Sequence, residues 1–212
     1  MPSYTQTLLE CNILTWNVRG MGTARKRYSI SAYLKRHGAN IEFIQETHIT
    51  SIEVQRLQRR WRGQIYSTTY SAYARGTFIW IRAGTPFRVD NKINDPNGRY
   101  VLLQGLLDGT PLVLSSIYAP NTDLFPFLSS LSQHLAQWSH LPGVLGGDYS
   151  CLLDPSLDRS FLPLPQAPSH ICAKKFKTWI SHWGLLDIWR HRNPNTRIYS
   201  FYSTPHDLHV RL

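Results

Sequence analysis

Short apolar runs that end at glycine, asparagine or proline recur along the chain, and this pattern predicts β-strands. Near the N-terminus such runs cover residues 12–18 and 41–46. Between them, apolar residues recur at helical spacing over residues 24–37, and Gly38 follows where a helix C-cap is expected. The N-terminal region is therefore predicted to form a strand, a helix and a second strand.

A basic stretch after residue 46 predicts a second helix. In this stretch Ile52, Leu57 and Trp61 fall near one helical face, whereas Val54 fits that face poorly. From residue 64 the pattern changes to strand after strand, separated by proline, glycine and asparagine. These predicted strands cover residues 64–70, 77–82, 87–93, 99–107 and 111–120. Asp108-Gly109, between two apolar runs, is typical of a β-hairpin.

The rest of the chain again mixes helices and strands. A helix is predicted over residues 124–138, where Pro126 is acceptable because it lies in the first turn. It is followed by a strand that leads into Asp148, a proline-rich loop at 162–168, a helix at 171–183 and a strand at 198–202. This alternation around a block of hairpins predicts an α/β fold in one domain, with two packed β-sheets and helices outside. Its central strands are expected to bury Ile13, Phe43, Leu114 and Leu145.

Composition agrees with a globular domain. The 212 residues are enough to bury a substantial core, and 42% of them are hydrophobic. No apolar run is long enough to span a bilayer, and the N-terminus lacks the order of a secretory signal, so we expect no membrane partner. The cysteines Cys11, Cys151 and Cys172 show no C-x-x-C spacing, which indicates neither a disulfide framework nor a zinc site. A reducing compartment is favoured.

Charge indicates the kind of partner. The chain has 23 Lys and Arg against 13 Asp and Glu, a net charge of +10. Such an excess favours a phosphate-rich polymer as partner, although a merely solvated surface is the alternative. Arginine predominates in clusters such as Arg25-Lys26-Arg27, and arginine favours bidentate contacts to phosphate.

Four polar residues stand where predicted strands end, namely Asn17, Glu46, Tyr118 and Asp148. Any one of them alone is a weak signal, and a lone aspartate at a strand end is most often a turn former. Strand ends at one sheet edge can, however, converge on a single site, and rigid elements give the positional precision that catalysis needs. These four residues are therefore the candidate catalytic group.

The sequence motifs around these residues point to a family more specifically than the residues do alone. The segments "LTWNVRGM", "IQETH", "IYAPNTD", "GGDYS", "LDRS" and "LLDIWR" together resemble the endonuclease of LINE-type non-LTR retrotransposons. That enzyme is a member of the endonuclease/exonuclease/phosphatase superfamily, with the apurinic endonucleases and DNase I as relatives. The resemblance covers the chain from Ile13 onward. It implies a single endonuclease-like domain, residues 1–212, with the DNase I-like four-layer sandwich of two mixed β-sheets flanked by helices.

The resemblance also implies roles for individual residues. Glu46 would be a carboxylate ligand of Mg2+, or of Mn2+ in its place, and Asn17 would help to hold the metal-bound phosphate or the metal's water shell. Tyr118 would contact the scissile phosphate, and Asp148 would orient or deprotonate the attacking water. Contacts to DNA are implied for Asn121 and Arg159, and for the segment 195–202, which would reach a groove and includes Arg197 and Ser200.

The function implied is a Mg2+-dependent nick in double-stranded DNA, whose 3′-hydroxyl primes target-primed reverse transcription. The partners would be the DNA target and the reverse transcriptase domain of the same polyprotein with its RNA. The chain would act in the nucleus and otherwise be cytoplasmic.

Two departures from the family keep alternatives open. Ser150 stands where the family has an asparagine that contacts the phosphate, and serine has a shorter reach and lacks the amide donors. The chain also stops at Leu212, before the family's final strands and their Ser-Asp-His, so we expect a C-terminally truncated domain. His48 is expected to be a supporting or structural residue. A catalytically impaired DNA- or RNA-binding fragment is therefore the alternative, and a phosphoesterase acting on inositol phosphates or sphingolipids is disfavoured by "LDRS" and "DIWR".

Overall fold

The protein's structure, a computed structural model, describes residues 10–160, 168–203 and 208–211. Within these ranges the chain divides into two compact units. The first contains residues up to 118 together with 140–148, and the second contains 119–139 together with the described residues from 149 onward. The single-domain organisation expected from the sequence remains a prediction.

The first unit contains a four-stranded mixed sheet. Its strands are β1 (Ile13–Asn17), β2 (Ile41–Gln45), β3 (Gly63–Thr68) and β4 (Thr77–Arg82), in the spatial order β1-β2-β4-β3. β1 and β2 are parallel, whereas β4 is antiparallel to both β2 and β3. The parallel pair brings the C-terminal ends of β1 and β2 to the same edge.

A second four-stranded mixed sheet completes the strands of this unit. It consists of β5 (Phe87–Asn94), β6 (Tyr100–Leu107), β7 (Thr110–Tyr118) and β8 (Gly143–Asp148), in sequence order. Asp108 and Gly109 form the tight β6–β7 turn with φ of 51° and 79°, as predicted. β7 and β8 are parallel and place Tyr118 directly opposite Asp148.

The two sheets share an apolar core. Phe43 and Ile79 of the first sheet pack in one cluster with Val101, Leu103 and Leu114 of the second. The strands that carry the expected core residues Ile13, Phe43, Leu114 and Leu145 form two parallel pairs in different sheets. The sequence pattern did not assign them to these sheets, because strand pairing depends on long-range contacts that a local pattern does not encode.

Two of the four residues expected in the core are less buried than predicted. Phe43 and Leu114 are buried, but Ile13 is 39% exposed and Leu145 is half-buried. Ile13 opens β1, and β1 and β8 each occupy an edge position of their sheet in the part of the chain that the structure describes. A strand at the edge of a sheet is hydrogen-bonded to a neighbouring strand on one side only.

Two helices cover the other face of the first sheet. Helix α1 (Ala24–His37) begins at Thr23, whose side chain accepts a hydrogen bond from the Lys26 amide, and ends at Gly38 with φ of 71°. Helix α2 (Ser51–Gln58) begins with a capping box between Thr50 and Glu53.

The apolar face predicted for α2 is correct for Leu57, which packs against the core, and wrong for Ile52 and Val54. Val54 is buried in the cluster beneath the helices, whereas Ile52 is 61% exposed. Trp61 lies beyond the end of the helix and packs against Trp80, with ring centroids 4.7 Å apart. The predicted helical face therefore included Trp61, a residue that is not part of the helix.

The second unit contains three helices and a short hairpin within the described ranges. These are α3 (Leu124–Leu135), followed by a 3-10 turn at Ala136–Trp138, then α4 (Pro168–His182), α5 (Ile188–Arg192), β9 (Phe201–Ser203) and β10 (Leu208–Val210). The predicted strand at 198–202 begins three residues late, at Phe201. The predicted proline-rich loop falls outside the described residues except for Pro168, which opens α4. None of the described helices is long and apolar enough to cross a membrane.

Candidate active site

Strand ends gather the polar residues of the first unit. Asn17 closes β1, and Glu46 follows β2 directly, so the parallel pairing of these strands places the two side chains together. Tyr118 and Asp148 close the parallel strands β7 and β8. The structure thus brings together all four candidate catalytic residues named from the sequence.

Asn17 joins the two carboxylates. Its side-chain Nδ2 donates one hydrogen bond to Oε1 of Glu46 and another to Oδ2 of Asp148, each 2.9 Å long. Its Oδ1 accepts from the backbone N–H of Arg19 at 3.0 Å, which fixes the orientation of the amide. An amide has two N–H donors, and here both are used to hold two negative groups at a fixed separation.

Glu46 is held in an unusual backbone conformation. Its φ is 53°, in the left-handed region that a non-glycine residue seldom adopts. Backbone hydrogen bonds clamp the segment from both sides. The Gly20 amide donates to the Glu46 carbonyl at 2.6 Å, and the Thr47 and His48 amides donate to the carbonyls of Gly76 and Arg75 at 3.1 and 2.9 Å. Backbone strain of this kind, when held by its surroundings, is concentrated at functional sites.

His48 supports the same carboxylate. Its Nε2 lies 3.5 Å from Oε2 of Glu46, and its φ is also positive, at 50°. Gly20 lies against the imidazole, since a Cβ at position 20 would lie 3.0 Å from Nδ1 of His48. These contacts agree with the supporting position expected for His48.

Tyr118 contacts the cluster through its hydroxyl, which hydrogen-bonds to Glu46. Burial, followed by the negative charge of Glu46, raises the pKa of Tyr118 to about 12. The phenol therefore keeps its proton at neutral pH and serves as a hydrogen-bond donor.

Arg99 is a residue of this site that the sequence reading missed. Its guanidinium lies 5.1 Å from the ring centroid of Tyr118, and its carbonyl accepts from the Tyr118 amide at 2.7 Å. Burial and then the charge of Arg75 lower the pKa of Arg99, and Glu46 contributes in the opposite direction. The signal available in the sequence was the turn Asn97-Gly98 directly before an arginine at a strand start.

The glycines before Asp148 are explained by close packing. A Cβ at Gly146 would lie 2.4 Å from a ring carbon of Phe43, and one at Gly147 would lie 2.0 Å from the carbonyl oxygen of Ile117. Both glycines lie within β8 itself. They let the strand that carries Asp148 approach its neighbours closely.

The donor set fits a hard divalent cation. Glu46 and Asp148 are two carboxylates held close together by one amide. The described residues contain no group of three or more His, Cys, Asp or Glu side chains that could cage a metal. Mg2+ is commonly bound by one or two carboxylates, with water and substrate phosphate as its other ligands.

The remaining candidates belong to the second unit. Ser150 has φ of 51° and donates from Oγ to the carbonyl of Ala119 at 3.2 Å. Asn121 is exposed between β7 and α3. Arg197 and Ser200 are exposed in the segment before β9. β9 pairs with β10 in antiparallel orientation.

Arg159 is anchored through its neighbour. Asp158 is fully buried and accepts hydrogen bonds from Arg190 and Arg211, and Arg211 also binds Asp187 at 2.6 Å. This network ties "LDRS" to "LLDIWR" and fixes the backbone of Arg159, which forms a β-bridge with Val210. The two segments therefore act together structurally.

A comparison with known sequences finds a transposon protein that is similar to this chain. An uncharacterized 149 kDa protein of transposon TX1 from Xenopus laevis is 26% identical over 193 residues, which are 90% of this chain. The chain spans 14% of that protein's length.

Solved structures show the same fold. The AP endonuclease LMAP from Leishmania major superposes with a TM-score of 0.77 at 17% identity, covering 95% of this chain and 77% of that one. An AP endonuclease from Archaeoglobus fulgidus gives 0.66 at 21% identity, covering 95% and 84%. The endonuclease domain of TRAS1, a telomere-specific non-LTR retrotransposon, gives 0.58 at 11% identity, covering 82% and 71%. The predicted DNase I-like class, two mixed sheets with flanking helices, is confirmed.

The family model described as "Endonuclease/Exonuclease/phosphatase family" matches residues 14–212. Since this match covers nearly all of the sequence, the chain belongs to the endonuclease/exonuclease/phosphatase family.

Proposed function

We propose that this chain is a divalent-metal-dependent endonuclease domain that nicks double-stranded DNA and leaves a 3′-hydroxyl to prime reverse transcription. The observation that carries the proposal is the hydrogen-bonded arrangement of Asn17 between Glu46 and Asp148. It offers two carboxylates, which phosphodiester hydrolysis needs for holding a metal and for orienting water.

Similarity supports the retrotransposon setting. The chain is similar to part of a transposon TX1 protein and, in fold, to the TRAS1 endonuclease domain. The net charge of +10 suits a DNA target. On this proposal a reverse transcriptase of the same polyprotein, with its RNA, would use the nick as its primer in the nucleus.

Glu46, with Asp148 beside it, would hold Mg2+ or Mn2+. When bound, the metal would supply positive charge to the phosphate and to the departing oxygen. Asn17 would keep the two carboxylates in place, and the strained clamp around Glu46 would limit its movement.

The chain's own residues would do the positioning. Asp148 would accept a hydrogen bond from the attacking water and take its proton at a carboxylate oxygen. Tyr118 would donate its hydroxyl hydrogen to a phosphate oxygen, and Arg99 would add positive charge beside its ring. Ser150 would be the fifth catalytic residue, through a contact to the phosphate as the family resemblance implies. In the second unit Asn121, Arg159, Arg197 and Ser200 would contact the DNA.

The test is nicking of supercoiled plasmid with Mg2+, followed by extension of the product with a DNA polymerase. Asp148→Ala should abolish nicking and leave DNA binding intact, because the carboxylate acts on the water rather than on affinity. Glu46→Gln should also abolish nicking, with partial recovery at high Mg2+ or Mn2+ since a ligand has been weakened. Asp90→Asn, an exposed aspartate on β5, is the matched control and should nick like the wild type.

Three results would overturn the proposal. DNA binding without nicking at any tested metal concentration would favour the impaired binding fragment. Nicking that is unaffected by Asp148→Ala would remove the cluster as the catalytic site. Hydrolysis of inositol phosphates in place of DNA would move the chain to the phosphoesterase branch of the family.

A further inference from the structure

A groove on the helix-covered face of the first sheet has no part in the proposed nicking reaction. It lies between α1 and α2 and has a volume of about 420 Å3. Its lining includes Tyr28 and Lys35 from α1, Arg56 from α2, and Arg60 and Trp61 from the segment after α2. We call it the α1–α2 groove. A recess of this size falls in the range of small-molecule sites.

Its charge is strongly positive. Among the lining residues Glu53 is the single acid, and its carboxylate binds Arg27 at 2.9 Å while capping α2. Lys35, Arg56 and Arg60 have no ion-pair partner within the described ranges. These three cations are exposed to solvent and are free to meet anionic groups from outside.

The groove also carries aromatic rings. Tyr28 is 78% exposed although its ring lines the groove. Trp61 is half-buried, and its ring is held against Trp80 with centroids 4.7 Å apart. An exposed ring next to a fixed ring and several cations is the combination that single-stranded nucleic acids require, with bases stacked on rings and phosphates on cations.

The groove adjoins the candidate active site through one loop. Ala24 lines the groove at the start of α1, and Arg27 donates to the carbonyls of Met21 and Gly22. The same loop donates from Gly20 and Met21 to the backbone of Glu46 and Thr47. The loop between β1 and α1 therefore contacts both the segment that carries Glu46 and the start of the helix that lines the groove.

We propose that the α1–α2 groove binds single-stranded nucleic acid, with Tyr28 stacking on a base and Lys35, Arg56 and Arg60 contacting phosphates. A recess of about 420 Å3 has the size of a site for a small ligand such as one nucleotide unit. RNA and single-stranded DNA share this chemistry. The inference does not rest on nicking, and the binding measurements are made in EDTA, so it can fail or succeed separately.

The experiment uses fluorescence anisotropy to measure the affinity of the whole chain for labelled 12-nucleotide oligo-U and oligo-dT. Arg56→Glu/Arg60→Glu should weaken binding at least tenfold, because two phosphate contacts become repulsive. Tyr28→Ala should weaken it about fivefold or more, with no loss for a 12-base-pair duplex, because stacking is available only to unpaired bases. A 2′-hydroxyl contact would make oligo-U the tighter ligand, and equal affinities would assign the groove to single strands of either kind.

The matched control is Arg88→Glu/Lys92→Glu, which reverses two exposed cations on β5 of the other sheet. It should change the affinity less than twofold, and thermal unfolding should show all variants folded. Ultraviolet crosslinking of oligo-U should place the modified peptide at Tyr28 or Trp61. Equal losses in groove and control variants, or an unchanged Tyr28→Ala, would overturn the proposal. If the groove variants lose as much affinity for the duplex as for the single strands, the groove cations bind duplex. If the chain binds only phosphatidylserine vesicles, the groove is a membrane-binding surface. Either result would overturn the proposal.

Discussion

The ring of Phe43 fills the space beside Gly146, where a Cβ would lie only 2.4 Å from Cδ2 of the phenylalanine. Phe43 belongs to the core between the sheets, and Gly146 lies two residues before Asp148. Packing of the core therefore sets the position of the strand that carries a candidate catalytic carboxylate. Any side chain at position 146 must displace either the ring or the strand.

Gly146→Ala is predicted to lower the free energy of unfolding by about 1–3 kcal/mol, the usual cost of overpacking a core. It should also reduce plasmid nicking because β8 would shift Asp148. Gly143→Ala is the control on the same strand, since the nearest atom to its Cβ is the flexible end of Leu145, 3.2 Å away. Urea unfolding and nicking are measured for both. If Phe43→Leu fails to restore stability in the Gly146→Ala background, the clash is not the cause.

Asn17→Ala is predicted to reduce nicking about a hundredfold while the chain stays folded. The variant loses hydrogen bonds to two carboxylates, and a hydrogen bond to a charged group contributes about 1.5–3 kcal/mol, equivalent to roughly ten- to hundredfold in rate. Asn17→Asp should reduce nicking further, because it places a third negative charge beside the carboxylates of Glu46 and Asp148. Asn91→Ala, which removes an exposed amide that donates to Gln104 at 2.7 Å, should have no effect on nicking. Full activity in Asn17→Asp would show that the bridging amide is dispensable.

The sequence predicted most strands well because their apolar runs are local and bounded by turn residues, as at residues 77–82, where the predicted and observed strands coincide. It also predicted that Asn17, Glu46, Tyr118 and Asp148 stand where strands end. It did not predict the division of the strands between two sheets, since that depends on partners far along the chain.

Other features could not be predicted because they arise from tertiary contacts. The positive φ of Glu46 is imposed by hydrogen bonds from distant loops, and the approach of Arg99 to Tyr118 depends on the β6–β7 pairing. The two glycines before Asp148 are visible in the sequence. The reason for them is close packing against the ring of Phe43 and the carbonyl of Ile117, and this packing appears only in the folded chain.

Ser150→Asn is predicted to raise both stability and nicking. Ser150 has φ of 51°, and asparagine tolerates this left-handed conformation better than serine does. The amide would also give the phosphate donor that the family resemblance implies, for roughly a tenfold gain in rate. Ser150→Gly separates the two effects, because glycine relieves the backbone without supplying an amide. Thermal unfolding and nicking rates check this, and equal rates for Asn and Gly would leave only the backbone effect.

Glu42 is predicted to make the chain less stable as pH rises. Its side chain is 1% exposed, and neither carboxylate oxygen has a hydrogen-bond partner in the described part of the chain. Burial raises its pKa from 4.5 to about 7, although the charge of Arg82 acts in the opposite direction. Because the folded pKa is the higher one, the folded state binds this proton more tightly, so stability is full below about pH 4.5 and declines until pH passes about 7. The decline amounts to as much as about 3 kcal/mol.

Glu42→Gln should abolish that decline, because the amide cannot ionise, and the variant should exceed the wild type in stability at pH 8 more than at pH 5. Glu53 gives the opposite case on α2. The hydrogen bond from the Thr50 backbone, followed by the charge of Arg27 and further hydrogen bonds from Thr50 and Arg27, lowers its pKa despite partial burial. The ionised Glu53 side chain therefore contributes to the free energy of unfolding at neutral pH, and this contribution is lost in acid. Glu53→Gln should lower the stability at pH 8 and change it little at pH 4. Urea unfolding measures the free energy of unfolding of each variant relative to the wild type across this pH range. This difference should rise with pH for Glu42→Gln and fall with pH for Glu53→Gln. Parallel slopes for the two variants would mean that the burial of Glu42 does not control its protonation.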